Sequence, residues 1–431
     1  MISDNEIAVI GGGPMGLAVA YQLSKMGYKP YVFESDSKLG GMAASFDFDG
    51  TELEKYYHFH CLNDKYFLQI INELNLSELL KWKKTSMGFF FNGKLYKWGS
   101  LFSVLKFNQI SLIGRFRYIL HSIRCIYFKN LHKLDKLNAV LWLKSWVGQE
   151  CYQILWEKLF KFKFYEYANK LSASWIWSRI NRLGNSRSSF VEILGFIEGG
   201  SQILINSMAD EIIKNGGEIN IATKIISLKN NRLGGGTIST NKQKYSFKKI
   251  VTTVPFPMLV SILRNGNIPE KFLDSLKKIE YIACACVILK LRKKVTNNFW
   301  VNINDKRFNI PGIIEMSNLR DFKDHIVYVP FYMPEYNQDY IRPDSDFIND
   351  SWQCIKSINP RLRKADLISS ACNRYRFAQP ICTQKYNEQK TAIELFSGIF
   401  IADTTSYFPD DRGISESVKF GRDLANKVIK S

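Results

Sequence analysis

Residues 7–10 form a short, unbroken apolar run, the pattern of a strand buried on both faces. Three glycines follow in G-x-G-x-x-G spacing, Gly11, Gly13 and Gly16. Small and apolar residues then continue as a helix over 17–26, which Gly27 ends where a left-handed backbone costs little. Residues 31–33 predict a second strand, with Glu34 at its end. Further on, the pattern predicts a helix over 202–215, closed by Gly216-Gly217, and strands over 218–222 and 223–228. A hairpin turn is expected over 230–236 and a strand over 249–254, stopped by Pro255. Strand-like runs return at 279–291, 299–314 and 324–332, ahead of a helix over 346–357 that Asn359-Pro360 stops. A buried strand over 399–402 and a helix beginning at 413–417 come last. Between these groups, 112–134 reads as a helix with one apolar face, and 135–178 as mainly helical.

The first forty-odd residues carry the chemistry. In strand–glycine–helix order, Gly11 permits the tight turn, Gly13 lets the backbone approach a pyrophosphate, and Gly16 lets helix pack on strand. The helix start offers free N–H groups and a positive dipole end to phosphates. Glu34 stands 18 residues beyond Gly16, where an acid accepts hydrogen bonds from a ribose. Strand, helix and acid together predict dinucleotide binding; a glycine-rich turn without a ligand is the alternative.

A second glycine pair follows in Leu39-Gly40-Gly41-Met42. It resembles the flavoprotein extension of the amine oxidase, protoporphyrinogen oxidase and phytoene desaturase superfamily. Many members carry an Arg after that pair, and this chain has Met42. Residues 196–228 resemble the family's Gly-Gly helix and the strand that packs on adenine. Residues 398–427 resemble its strand–loop–helix at the isoalloxazine. The resemblance implies FAD, held by Gly11, Gly13, Pro14, Met15, Gly16, Glu34, Ser35, Gly40, Gly41 and Met42. It also implies an Ile225 backbone facing adenine, an Asp403 near the ribityl chain or pyrophosphate, and Gly413 and Ile414 opening a helix toward the flavin.

The implied fold is α/β: a Rossmann-type FAD-binding domain with an inserted α+β substrate domain made of a helical cap and an antiparallel sheet. Residues 1–78, 190–260 and 387–431 are expected to build the first, and 79–189 and 261–386 the second. Tyr56, Tyr57, His58 and His60 lie where the family's chain passes the flavin. Two histidines at i and i+2 on an extended strand point the same way, so packing, a place beside flavin or substrate, and half a metal site all stay open. No Cys/His cluster accompanies them, and no metal is expected. Residues 371–386 resemble the segment past the flavin's reactive face, with Arg374, Tyr375, Arg376 and Gln379 as its polar members. The catalytic candidates are therefore His58, Tyr57, Arg376 and Gln379. The fork of Arg376 suits a carboxylate or phosphate, and a surface ion pair is the competing reading.

Charge adds a partner. The 431 residues hold 59 basic and 40 acidic side chains, a net of +19, which asks for a polyanion, a membrane surface or an anionic substrate. Residues 79–134 contain no acid but eleven Lys or Arg, from Lys81 to Lys133 and including Lys129, interleaved with aromatics. That composition suits an anionic membrane surface or a solvated cationic face. Nothing resembles a nucleic-acid-reading module, so no nucleic acid is expected. Trp142, Trp146, Trp156, Trp175 and Trp177 read as core or substrate-tunnel wall. Cys284 and Cys286 read as small apolar fillers on one strand face. Scattered cysteines and no signal-peptide pattern predict a reducing cytoplasm, with peripheral attachment to the inner face of a membrane as an option. No 18-residue apolar run predicts a span.

With one dinucleotide fingerprint, a nicotinamide hydride donor is not expected. The leading expectation is an FAD-dependent oxidoreductase that oxidises or desaturates a small-molecule or lipid-linked anionic substrate by hydride transfer to flavin N5. Electrons would then pass to oxygen or a quinone. Two other classes remain: a redox-neutral flavoenzyme resembling UDP-galactopyranose mutase, and a flavin-binding membrane scaffold without turnover.

Overall fold

The apolar run that begins the chain, Glu6–Ile10, lies at the heart of a six-stranded sheet. Its order is Glu218–Asn220, Lys29–Phe33, Glu6–Ile10, Lys249–Thr252, Ile399–Ile401 and Glu394–Phe396. The first five strands run parallel, and the last turns back as an antiparallel edge. This computed structural model describes residues 4–128, 131–188, 191–231, 234–264, 268–389 and 394–431. Alternation along the central strand splits its side chains between two cores. Ile7 and Val9 face the helices Pro14–Lys25, Ser201–Lys214 and Ile414–Lys430. Ala8 and Ile10 face a three-stranded antiparallel sheet (Ile225–Asn230, Gly236–Thr240, Lys244–Phe247) and the helix Phe256–Leu263.

A seven-stranded sheet forms the second layer system. Its order is Leu367–Pro380, Tyr281–Leu291, His325–Pro334, Gly312–Glu315, Trp300–Asn304, Met87–Phe91 and Lys94–Trp98. Tyr281–Leu291 is buried over its whole length, as its continuous apolar run requires. Lys290 survives there because Asp49 supplies a carbonyl at 2.9 Å and a carboxylate at 3.3 Å. Cys284 and Cys286 do share one face, packed with Trp142, Trp175 and Trp177. Ala283, Ala285 and Val287 face the helix Asp344–Ile358 instead. All eight cysteines are free.

Three details differ from the sequence pattern. The acid-free stretch is not chiefly helical: Leu80–Lys84, Met87–Phe91 and Lys94–Trp98 are strands before the helices Leu101–Lys106 and Leu112–Tyr127 begin. Phe89 and Phe90 alternate across a sheet face, so their apolar character packs into two cores. The sheet expected to be antiparallel contains one parallel pair, Trp300–Asn304 with Met87–Phe91, because these distant segments enter it from the same end. The helix expected over 112–134 stops at Tyr127, where Phe128 turns extended; Lys129 lies outside the described residues.

Candidate active site

Five parallel strands end on the same side of the six-stranded sheet, and loops from their carboxyl ends form a cradle there. Gly11 turns the chain at φ +109°, which side chains rarely adopt. A Cβ on Gly16 would sit 1.9 Å from the Gly11 carbonyl oxygen, so helix Pro14–Lys25 packs on its strand only with glycine there. Gly13 is different: a Cβ built on it meets nothing within 4 Å. The space above the helix start is open, no side chain caps that start, and Pro14 occupies its first turn. The Gly40–Gly41 loop closes the other side. Gly40 N–H donates to the Gly12 carbonyl at 2.9 Å, and a Cβ on Gly41 would lie 3.4 Å from Gly13 Cα. Met42 is half-buried at the end of this loop.

Glu34 is fixed beside the cradle. Its Oε2 accepts from Gly12 N–H at 2.8 Å; its Oε1 accepts from Asp36 N–H at 2.9 Å and the Ser35 hydroxyl at 3.1 Å. Ala222 and Thr223 donate backbone bonds to the Asp36 and Glu34 carbonyls, which brings the turn before Ile225 against the acid. Ile225 itself is buried. At the far side, helix Ile414–Lys430 starts at Gly413, also without a side-chain cap. It lies so close to the first helix that a Cβ on Gly421 would fall 2.6 Å from the Met15 carbonyl. Asp403 is buried; its carboxylate accepts from Phe256 N–H at 3.1 Å, Thr405 N–H at 2.8 Å and the Tyr281 hydroxyl. Burial raises its pKa, and these donors oppose the rise. The start of helix Ser201–Lys214 is already filled, because Glu54 accepts from Ser201 N–H at 2.9 Å.

Between this cradle and the seven-stranded sheet lies a second group of residues. Tyr57 and Tyr332 share a hydrogen bond of 2.9 Å between their hydroxyls, and Trp300 stands edge-on to Tyr57 at 5.5 Å. Burial pushes Tyr57 up to about 12 and raises Tyr332 well above the usual phenol range, so both phenols keep their protons. Arg412 lies 5.7 Å from the Tyr332 ring and donates to the Ala378 carbonyl. Its other donors have no hydrogen-bond partner among the described residues. Lys163 is 3 % exposed, with Nζ 4.7 Å from the Tyr332 ring, 5.1 Å from Trp175 and 5.4 Å from Phe164. It makes no hydrogen bond or ion pair among the described residues. Burial holds its amine well below the usual lysine range, and Arg179 and Arg412 add repulsion. Arg179 pairs with Asp411 at 2.6 Å. Burial alone would raise Asp411, but Arg179, Lys163 and Arg412 outweigh it and hold the carboxyl low.

The structure thus brings Tyr57 to this group. His58 follows it, half-buried, with Nδ1 buried and unpartnered and its pKa lowered by burial against the pull of Glu54. Gln379 follows Ala378, whose carbonyl Arg412 holds, on the long edge strand, and is buried with Oε1 unpartnered. Arg376 is not brought there: it is exposed, with its guanidinium 5.2 Å over the Tyr340 ring. Arg374 is engaged by Asp344. His60 stacks on Phe67 at 3.5 Å and is driven down to about 3 by burial. Among the described residues no three His, Cys, Asp or Glu side chains gather as a metal site. Lys163, Tyr332, Asp411 and Arg412 were not singled out by the sequence. The run Asp410-Asp411-Arg412 directly before Gly413 was a usable signal; Lys163 sits among alternating lysines and phenylalanines that mask it.

Open space at Gly13, two uncapped helix starts and unpartnered buried atoms on His58, Gln379 and Asp411 fit a dinucleotide cofactor running from Glu34 to the tyrosine pair. Comparisons with known proteins point to a flavin. Residues 16–389 match the model of the flavin containing amine oxidoreductases. The 15-cis-phytoene desaturase of Synechococcus elongatus is 37% identical over 85 residues, 20% of this chain. The chain matches only 18% of that relative's length. An oxidoreductase from Methanosarcina mazei superposes with a TM-score of 0.76 at 14% identity, covering 99% of this chain and 100% of the other. A reduced UDP-galactopyranose mutase also gives 0.76, at 16% identity over 99% of this chain and 96% of the other. At such identities the two structures show the fold alone.

Proposed function

The chain belongs to the flavin-containing amine oxidoreductase family, and we propose that it is an oxidoreductase that holds FAD and oxidises or desaturates an anionic organic substrate. The cofactor would be held by the glycine cradle and Glu34, with Gly413 and Ile414 at its redox end. When bound, a flavin supplies a two-electron acceptor, which oxygen or a quinone would then restore. Residues 1–78, 190–260 and 387–431 would form the cofactor domain, and 79–189 and 261–386 the substrate domain. Each of the two large sheets draws its strands from only one of these sets, which supports the division.

The observation that carries the reading is Arg412 beside Lys163. A permanently charged guanidinium with unused donors suits a carboxylate or phosphate, and the aromatic walls around it suit an apolar body. Removing a hydride from a C–H bond leaves a cation that forms its double bond by losing a proton from the adjacent N–H or C–H, and that proton must be taken up. Lys163 is the base we assign to it: its buried amine lies 4.7 Å from the Tyr332 ring, and burial together with Arg179 and Arg412 lowers its pKa. Tyr57 and Tyr332 stay protonated, so one hydroxyl hydrogen of the pair remains to be donated to the substrate.

The test is an anaerobic screen of carboxylated and phosphorylated metabolites for bleaching of the bound flavin, run on wild type and Arg412→Gln. A bleaching anion whose KM rises about tenfold or more in the variant supports the reading. A neutral substrate unaffected by Arg412→Gln contradicts it. Turnover of a nucleotide sugar only after chemical reduction would replace it with redox-neutral chemistry.

A further inference from the structure

The helix Leu112–Tyr127 is amphipathic the wrong way round for a solvated helix. Leu112, Ile113, Phe116, Leu120 and Tyr127 are between 57% and 77% exposed, and Ile123 is 41% exposed. Positions 112, 116, 120, 123 and 127 recur at helical spacing, so they form one outward stripe. The arginines bend back onto the protein's own groups, although Arg117 and Arg124 stay exposed. Arg115 donates to the Ile110 and Leu105 carbonyls at 2.7 Å. Arg117 donates to the Trp146 and Ser145 carbonyls at 2.8 Å. Arg124 lies 4.2 Å over the Trp146 ring, and His121 is buried. These arginines staple the helix to the protein and leave its apolar face outside.

Helix Leu101–Lys106 packs beside it and extends the stripe with Leu101, Phe102 and Leu105, the second 66% exposed. Together these nine side chains expose on the order of 1000 Å², more than the roughly 300–600 Å² of a typical monomer's largest apolar patch. Lys97 and Lys106 border the patch, exposed and outside any ion pair among the described residues. No acid occurs from residue 79 to 134 to oppose them. A groove of about 1030 Å³, walled by Tyr96, Trp98 and Phe107, opens beside the patch, and Phe102 and Lys106 line both.

We propose that this face is the docking surface for an anionic lipid bilayer. The apolar stripe would enter the acyl boundary, and Lys97 and Lys106 would meet the headgroups. No helix among the described residues is long and apolar enough to cross a membrane, so the stripe lies in the interface rather than spanning it. A second protein would cover an apolar patch as well, but exposed Lys97 and Lys106, outside any ion pair among the described residues, favour a surface of uniform negative charge, while the nearby Glu150 and Glu192 are engaged by Ser111 and Thr85. The inference stands apart from the redox reading and goes beyond it.

The experiment is flotation of the purified flavoprotein with phosphatidylcholine vesicles, with and without phosphatidylglycerol. Wild type is expected to float with the anionic vesicles. Raising salt to about 0.5 M should weaken that partition without abolishing it, because the apolar part is unscreened. The variant carrying Ile113→Asp, Phe116→Asp and Leu120→Asp should lose roughly 100-fold in partition, with its flavin content and Tm unchanged, since all three side chains are exposed. Lys97→Gln with Lys106→Gln should bind less and lose most of the salt dependence. Wild type left behind by anionic vesicles at low salt would overturn the proposal. So would a triple variant that floats like wild type, or a vesicle-free dimer that the triple variant converts to monomer.

Discussion

Replacing Gly13 by alanine separates what the cofactor needs from what the fold needs. Its backbone, at φ −75° and ψ 175°, is open to any residue, and a Cβ there meets no protein atom within 4 Å. Alanine restricts the unfolded chain, which stabilises by about 0.4–1 kcal/mol. Alanine is also the poorer residue at a helix N-cap, at a cost of roughly 0.5–1 kcal/mol relative to glycine. The two offset, so the apoprotein's Tm should move by less than about 2 °C. The cofactor fares otherwise, because the open space is where its pyrophosphate would approach the helix start. A methyl group forced into that contact costs about 1–3 kcal/mol, roughly a five- to 150-fold loss of affinity. Gly16→Ala is the control: its Cβ would lie 1.9 Å from the Gly11 carbonyl oxygen, so the fold itself should fail. Thermal melts of the apoproteins and titration with FAD, followed by quenching of flavin fluorescence, read both quantities. Gly13→Ala protein that binds FAD as tightly as wild type would refute the assignment of the cradle.

Glu34→Ala should weaken FAD binding by about 1.5–3 kcal/mol for each charge-assisted ribose bond lost, measured by the same titration; unchanged affinity would assign the ribose to another residue. Tyr332→Phe should slow anaerobic reduction of the flavin about 10–100-fold while leaving its absorption spectrum in place, because it removes the hydroxyl that partners Tyr57; unaltered reduction kinetics would put the substrate elsewhere. His60 titrates near 3 when folded and near 6.5 when unfolded, so between these values only the unfolded chain takes up the proton. Stability should therefore fall as pH drops from about 6.5 toward about 3, and His60→Phe should flatten part of that slope in urea melts; parallel slopes would mean His60 is protonated in the native protein.

The cradle was legible because its parts are contiguous. Gly11, Gly13, Gly16, Glu34 and Gly40-Gly41 lie within 31 residues; Gly11, Gly16 and Gly40 each meet a local geometric demand that only glycine satisfies, and Gly13 leaves the space at the helix start open. The strand Tyr281–Leu291 was legible because burial on both faces leaves an unbroken apolar run. The redox end was not, because it is assembled over distance. Lys163 comes from the helical region, Tyr332 from one strand and Arg412 from the last loop, and no local pattern links them. Arg376 was read as an anion anchor from its guanidinium fork and from the resemblance of residues 371–386 to the segment past the flavin, and neither says which way an edge strand turns its side chain. In the basic stretch, composition does not show that Arg115 and Arg117 bond backbone carbonyls or that Arg124 stacks on Trp146 while Arg117 and Arg124 remain exposed.

The central claim is that the glycine cradle and the Tyr57–Tyr332 group are the two ends of one FAD site. The most direct measurement is to purify the full chain, release its chromophore by heat and identify it by chromatography against FAD and FMN, quantified per protein. The account predicts a yellow protein that yields FAD, close to one per chain, and no FMN. A colourless protein that takes up no FAD on titration, or one that yields FMN, would contradict it.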